Sequence, residues 1–228
     1  MEHISSVLGN LQRTTRNPTN SGTNLKRKYN EEEEEAEETV EGKLTRFNIS
    51  SLNHTFENFR RFKGALEAIN VFRNLASGES DRKFILCAGV TGSGKTHLIE
   101  ATIIAWAKQG IYARYNTMSG IIRQLKGSLG ERHIPPYEQV FKSISEARKL
   151  IIDDYGMGST ETRWEVSELE DIINLRYHRR YYDDGKATIL ATNKDIKGLP
   201  DRVVSRFYDP EFGVVVVMGA GDYPRRKV

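Results

Sequence analysis

Eight consecutive residues, Gly89-Val90-Thr91-Gly92-Ser93-Gly94-Lys95-Thr96, fit the pattern G-x-x-x-x-G-K-[ST] without exception. Glycines at these spacings let the backbone wrap a phosphate chain, so that successive N–H groups converge on its oxygens. A helix beginning at the end of the motif would add partial positive charge. In that chemistry Lys95 reaches the β- and γ-phosphates of a nucleotide such as ATP, and the Thr96 hydroxyl ligates Mg²⁺.

Two further polar groups fall at ends of apolar runs. Leu150-Ile151-Ile152 leads into Asp153-Asp154. Ligands collect at the carboxyl ends of parallel strands, so Asp153 is expected to hold Mg²⁺, directly or through water, and Asp154 to polarise an attacking water. Ala187–Thr192 leads in the same way into Asn193. Asn193 either orients that water and contacts the γ-phosphate or is a turn residue at a strand exit.

These groups need a scaffold that brings strand ends together. Short apolar runs at 83–88, 111–116, 149–153, 187–191 and 214–218 alternate with helical stretches at 56–75, 96–109, 118–129, 135–147, 164–182 and 199–207. Strands that are apolar throughout, rather than every second residue, indicate burial on both faces. The expected fold is therefore α/β, a P-loop NTPase with a five-stranded parallel sheet covered by helices on both faces.

Ahead of it, residues 1–51 read differently. Ile4, Val7, Leu8 and Leu11 form one apolar helical stripe. Residues 12–43 are polar, with Lys26-Arg27-Lys28 followed by an acidic block in which seven of the eight residues from Glu31 to Glu38 are Glu. So little apolar area cannot offset the conformational entropy of ordering, and disorder is expected. The division is thus a tail over 1–51, suited to binding a partner, and a domain over 52–228.

Composition narrows the function classes. The chain of 228 residues carries a net charge of +3, divided as −3 over residues 1–45 and +6 over 46–228. A basic domain behind an acidic tail permits a polyanionic partner. No run of about 18 apolar residues could span a membrane, and the first residues predict no secretory signal. Cys87 is the single cysteine, which excludes an internal disulfide or a cysteine-cluster zinc site and suits a cytoplasmic protein.

With the three strand-end motifs in this order, residues 55–226 resemble the AAA+ ATPases, and among them the DnaC/DnaI-type helicase loaders and the IstB-type transposition ATPases. The residues that carry the resemblance are Thr55–Phe59 (TFENF), Gly89–Leu98 (GVTGSGKTHL), Leu150–Gly156 (LIIDDYG), Ile189–Asn193 (ILATN), Leu199–Arg206 (LPDRVVSR) and Gly221–Arg226 (GDYPRR). The resemblance implies a nucleotide site that extends to His97. It implies that Arg206 is an arginine finger acting on a neighbouring subunit's ATP. It makes Arg225, or in the alternative register Arg226, a sensor that contacts ATP within its own subunit. It also matches Thr160–Glu165, with Arg163 and Trp164, to a loop that touches single-stranded DNA. An aromatic beside a cation suits base stacking, while Trp164 equally fits a core position at a helix start. Asp154 stands where many AAA+ proteins have Glu, which predicts slow hydrolysis. The tail lacks cysteines, so it is not the zinc-bearing helicase-binding domain of the DnaI type.

The resemblance implies an ATPase that forms homo-oligomers, hexamers in this family, and handles DNA. One reading is a loader that delivers a replicative helicase onto single-stranded DNA. Another is a transposition helper that oligomerises on duplex DNA and recruits a transposase. A P-loop small-molecule kinase is disfavoured, because Asp153-Asp154, Asn193 and Arg206 have no joint role in it.

Overall fold

Alternate residues of the central strand serve two different cores. In β1 (Phe84–Gly89), Ile85 and Cys87 pack into one apolar cluster, and Phe84 and Leu86 into the other. The same alternation runs through β3 (Lys149–Tyr155) and β4 (Ala187–Thr192). Ile151, Ile189 and Ala191 face the first cluster, whereas Leu150, Ile152 and Leu190 face the second. This is the period-two consequence of a strand covered on both sides, and it explains why the runs are apolar throughout. The computed structural model describes residues 49, 53–60, 62, 64–130, 135–156, 162–180 and 185–219.

With β2 (Ala113–Thr117) and β5 (Gly213–Met218), the strands form one sheet in the order β2-β3-β4-β1-β5. Every neighbouring pair is parallel. The first face is covered by α1 (Leu66–Ser77) and α2 (Lys95–Lys108). The second is covered by α3 (Met118–Gly127), α4 (Tyr137–Ser145), α5 (Arg163–His178) and α6 (Asp201–Phe207). The chain leaves β1 through α2 on one face, and leaves the neighbouring β4 through α6 on the other. The crevice between these two connections, at the carboxyl ends of β1 and β4, is where α/β sheets bind ligands.

The expected fold class is what the structure has. Several boundaries differ, each for a local reason. The helix expected over 56–75 begins only at Leu66. Before it, Thr55 and Asn58 exchange side-chain-to-backbone hydrogen bonds of 2.9 and 3.4 Å, which make a turn, and Gly64 adopts φ +103°. Phe56 and Phe59 are nonetheless buried against the first face. The long helix expected from 164 starts at Arg163, because Thr162 and Glu165 form a reciprocal capping box. Strand β3 runs two residues past Asp153. Ile152 pairs with Leu190 and Tyr155 with Thr192, so β3 carries one extra residue there, a β-bulge. The stripe at Ile4–Leu11, the acidic tail, residues 160 and 161, and the terminal Arg225 and Arg226 lie outside the described residues.

One buried cation ties the second face together. Arg176 of α5 is 2% exposed. It donates to the Thr188 hydroxyl at 2.8 Å and to the carbonyls of Ser145, Ala147 and Ala187 at 2.9, 2.6 and 2.7 Å. It thus fastens α5 to the end of α4 and the start of β4. Arg176→Ala removes these bonds and leaves buried acceptors short of a donor. It is expected to lower unfolding free energy by about 3 kcal/mol, measured by denaturant titration. A change under about 1 kcal/mol would mean that water replaces the guanidinium.

Candidate nucleotide site

The glycine-rich loop joins the end of β1 to the first turn of α2. Gly92 and Gly94 adopt φ +80° and +93°, left-handed values that turn the loop back over the helix start. Gly89 is required for another reason. A Cβ there would lie 2.5 Å from the Met218 carbonyl of β5, so strand and loop can approach only without a side chain.

Inside this loop lies the ammonium group of Lys95, a residue 5% exposed. It donates to the carbonyls of Gly89 at 2.7 Å and Val90 at 3.0 Å, with the Ser93 hydroxyl at 3.5 Å. It also donates to the side-chain oxygen of Asn193, which comes from the end of β4. Burial lowers its pKa, and the Asp153 and Asp154 carboxylates work against that shift. The loop, Lys95 and Asn193 are therefore one constellation.

Asp153 meets the same constellation from β3. It is 1% exposed, and burial raises its pKa. The hydroxyls of Thr96 and Tyr115 donate to its Oδ2 at 3.2 and 3.0 Å. A carboxylate and a hydroxyl at this spacing, beside a phosphate loop, are the hard oxygen donors that Mg²⁺ takes when substrate phosphates and water complete its shell. Among the described residues no group of three or more His, Cys, Asp or Glu forms a metal site, so a protein cage of another kind does not compete.

Asp154 occupies the bulge with φ +55°, the left-handed region, which Asp tolerates better than most residues. Its backbone N–H donates to the Asp153 carboxylate at 2.8 Å. The extra residue lets two successive carboxylates differ in role: Asp153 turns into the sheet's buried end, while Asp154 remains partly exposed. Strain of this kind gathers where a side chain must be re-aimed.

The other expected site residues make contacts of their own. The His97 Nε2 lies 2.9 Å from the Thr55 carbonyl, and its ring stacks on His54 with centroids 4.3 Å apart. Two residues past Lys95 a helical side chain has turned through about 200°, so His97 fastens the segment around Thr55–Phe59 to α2. His54 also pairs with the buried Glu100 at 2.5 Å. Trp164 is half-buried against the second core with the Lys126 ammonium 5.6 Å above its ring. Arg163 beside it is exposed. Arg206 lies on α6, where its Nε donates to Asn174 at 3.0 Å. Burial pushes the Cys87 thiol up to about 12, which leaves it a core residue rather than a nucleophile. Tyr115 was not foreseen: β2 reads as an ordinary run, and only its pairing beside β3 places the hydroxyl on Asp153.

Comparison with known proteins bears on family and fold. The sequence profile of the family described as IstB-like ATP binding protein matches residues 10–199. The chain is 28% identical over 179 residues to the chromosomal replication initiator protein DnaA of Aquifex aeolicus, covering 77% of this chain and 42% of that one. It is 29% identical over 146 residues to a putative ATP-binding protein in an insertion sequence of Mycobacterium tuberculosis, covering 61% of this chain and 53% of that one. The chain therefore spans about half the length of these curated relatives. Among solved structures, the DnaC helicase loader superposes with a TM-score of 0.60 at 22% identity, covering 73% of this chain and 97% of that one, a likeness of fold. No helix among the described residues is long and apolar enough to cross a membrane.

The two carboxylates should separate on mutation. Asp154→Asn is expected to keep ATP binding and slow hydrolysis by about 10²-fold, the scale for losing a positioned base. Asp153→Ala is expected instead to weaken the Mg²⁺-dependent part of nucleotide binding. Fluorescent-nucleotide titration alongside phosphate release distinguishes them, and identical behaviour of the two variants would contradict the division.

Proposed function

The chain belongs to the IstB-like ATP-binding protein family, an AAA+ group, and from that premise we propose that it is an ATP-dependent helicase loader. In this reading it binds ATP and single-stranded DNA, assembles into a homo-oligomer, a hexamer by family resemblance, and delivers a replicative helicase in the cytoplasm. The observation that carries the ATP-driven part is the convergence of Lys95, Asn193 and Asp153 from three strand ends on one glycine-rich loop.

The chain's own groups divide the work. The loop N–H groups and Lys95 hold the phosphates. To do so, Lys95 exchanges the Gly89 and Val90 carbonyls for phosphate oxygens. Thr96 and Asp153 would hold Mg²⁺, which when bound neutralises charge on the phosphates. Asp154 polarises the attacking water and Asn193 orients it. Hydrolysis yields ADP and phosphate, slowly, because Asp is one methylene shorter than the usual Glu. Arg206 offsets charge on the γ-phosphoryl group of a neighbouring subunit, and Arg225 senses the nucleotide within its own subunit. Residues 52–228 form this ATPase, Arg163 and Trp164 contact single-stranded DNA, and residues 1–51 bind the client. The relatedness to a replication initiator supports a replication client.

A second reading is favoured by the relative encoded in an insertion sequence: a transposition helper that oligomerises on duplex DNA and recruits a transposase. The two differ in client, so co-purification with the full chain as bait separates them. A hexameric helicase supports the loader, and a transposase supports the second reading.

Shared catalysis is tested by mixing. Lys95→Ala and Arg206→Ala are each expected to be nearly inactive alone. In a mixed oligomer the intact pocket of the Arg206→Ala subunit meets the intact arginine of the Lys95→Ala subunit, and ATP turnover should partly return. Mixed oligomers without recovery would mean that Arg206 does not act in trans.

A further inference from the structure

Arg206 is held by groups that fix its direction without neutralising its charge. Its Nε donates to the side-chain oxygen of Asn174 at 3.0 Å, and its guanidinium lies 4.6 Å from the centre of the Tyr177 ring. Both partners come from one face of α5, three residues apart, where helical side chains are neighbours. Among the described residues no carboxylate pairs with Arg206, and its two terminal nitrogens make no hydrogen bond. A neutral amide and an aromatic face hold a cation in place, yet leave its full charge available. The fork formed by the two terminal nitrogens is the part that matches phosphate oxygens in a bidentate contact.

The platform beneath it is itself fixed. The Tyr177 hydroxyl donates to Asp209, and its ring meets Phe84 of the central strand edge-on at 5.8 Å between centroids. Phe207, the residue after Arg206, is fully buried and packs edge-on against the same Phe84 at 5.9 Å. Arg206 therefore stands on a short, rigid path to the strand that carries the glycine-rich loop. Arg206 itself is given its direction by one ring, which also carries the Arg180 guanidinium at 3.7 Å, and by one amide.

We propose that Asn174 and Tyr177 are positioning residues, which aim the two terminal nitrogens of Arg206 at the triphosphate bound by a neighbouring subunit. The proposal rests on Arg206 acting in trans, as set out above. A guanidinium already held in one direction loses little freedom on meeting the phosphate, whereas a swinging one would spend much of its time out of reach.

The test uses the full chain and measures ATP turnover against both ATP and protein concentration, with melting temperature alongside. Asn174→Ala and Tyr177→Leu are each expected to lower kcat about tenfold, with KM for ATP and melting temperature unchanged. Tyr177→Phe keeps the ring face and should stay within about twofold of wild type. In mixing, Asn174→Ala should be rescued by Lys95→Ala, because its own pocket is intact. A Lys95→Ala chain that also carries Asn174→Ala should fail to rescue Arg206→Ala. Wild-type kcat in both Asn174→Ala and Tyr177→Leu, with Arg206→Ala inactive alone and rescued in trans, would overturn the positioning role and leave the trans-acting arginine standing. Wild-type turnover in Arg206→Ala would overturn both. Should Tyr177→Leu melt early, Asn174→Ala decides: a loss of kcat that follows its melting temperature and is not rescued in trans would mark a structural residue only.

Discussion

A positive charge buried at the end of a parallel sheet organises this molecule. Lys95 as a residue is 5% exposed, and an ammonium drawn out of water must find acceptors or lose its charge. Here they are two loop carbonyls and the Asn193 side chain, with the Asp153 and Asp154 carboxylates supporting the charged form. These acceptors and carboxylates lie at the ends of β1, β4 and β3, so the three strands must end at one level. The two-sided core sets that level: each strand is pinned from both faces, and slipping one residue would exchange the residues facing the two clusters.

The same arrangement explains how the site can work. Backbone carbonyls are adequate acceptors for an ammonium, but phosphate oxygens are better ones, because ionised acceptors make the stronger hydrogen bonds. Under the proposed function an incoming triphosphate would therefore offer Lys95 an exchange in its favour and free Asn193 to meet the γ-phosphate. On the second face of the sheet, Arg206 is the complementary case: a cation held by uncharged groups and, among the described residues, without a paired carboxylate. Under the proposed function one positive charge is satisfied within the chain and the other meets an anion of a neighbouring subunit.

The glycine-rich loop, the two carboxylates and the apolar strands were readable because each rests on local sequence. Spacing alone identifies Gly89–Thr96, and continuous apolarity identifies strands buried on both faces. Tertiary placement was not readable. The bulge at Asp154 arises from pairing with β4, which no feature of LIIDDY announces. The side chain of His97 follows from the helical turn beyond Lys95, so its place in a motif misleads about what it touches. Tyr115 meets Asp153 only because β2 lies beside β3. Asn174 and Tyr177 resemble any polar and aromatic pair on a helix until α6 packs over them. The helix start at Leu66 was missed because the reciprocal bonds of Thr55 and Asn58 outweigh an apolar spacing that looked helical.

Under the proposed function Lys95 changes partners when nucleotide binds. A crystal structure of the full chain with a non-hydrolysable ATP analogue and Mg²⁺ shows whether it does. The triphosphate is expected in the Gly89–Thr96 loop, with the Lys95 ammonium moved from the Gly89 and Val90 carbonyls onto the β- and γ-phosphate oxygens and the metal beside Thr96 and Asp153. An analogue bound elsewhere, or bound in the loop with Lys95 still on those two carbonyls, would contradict it.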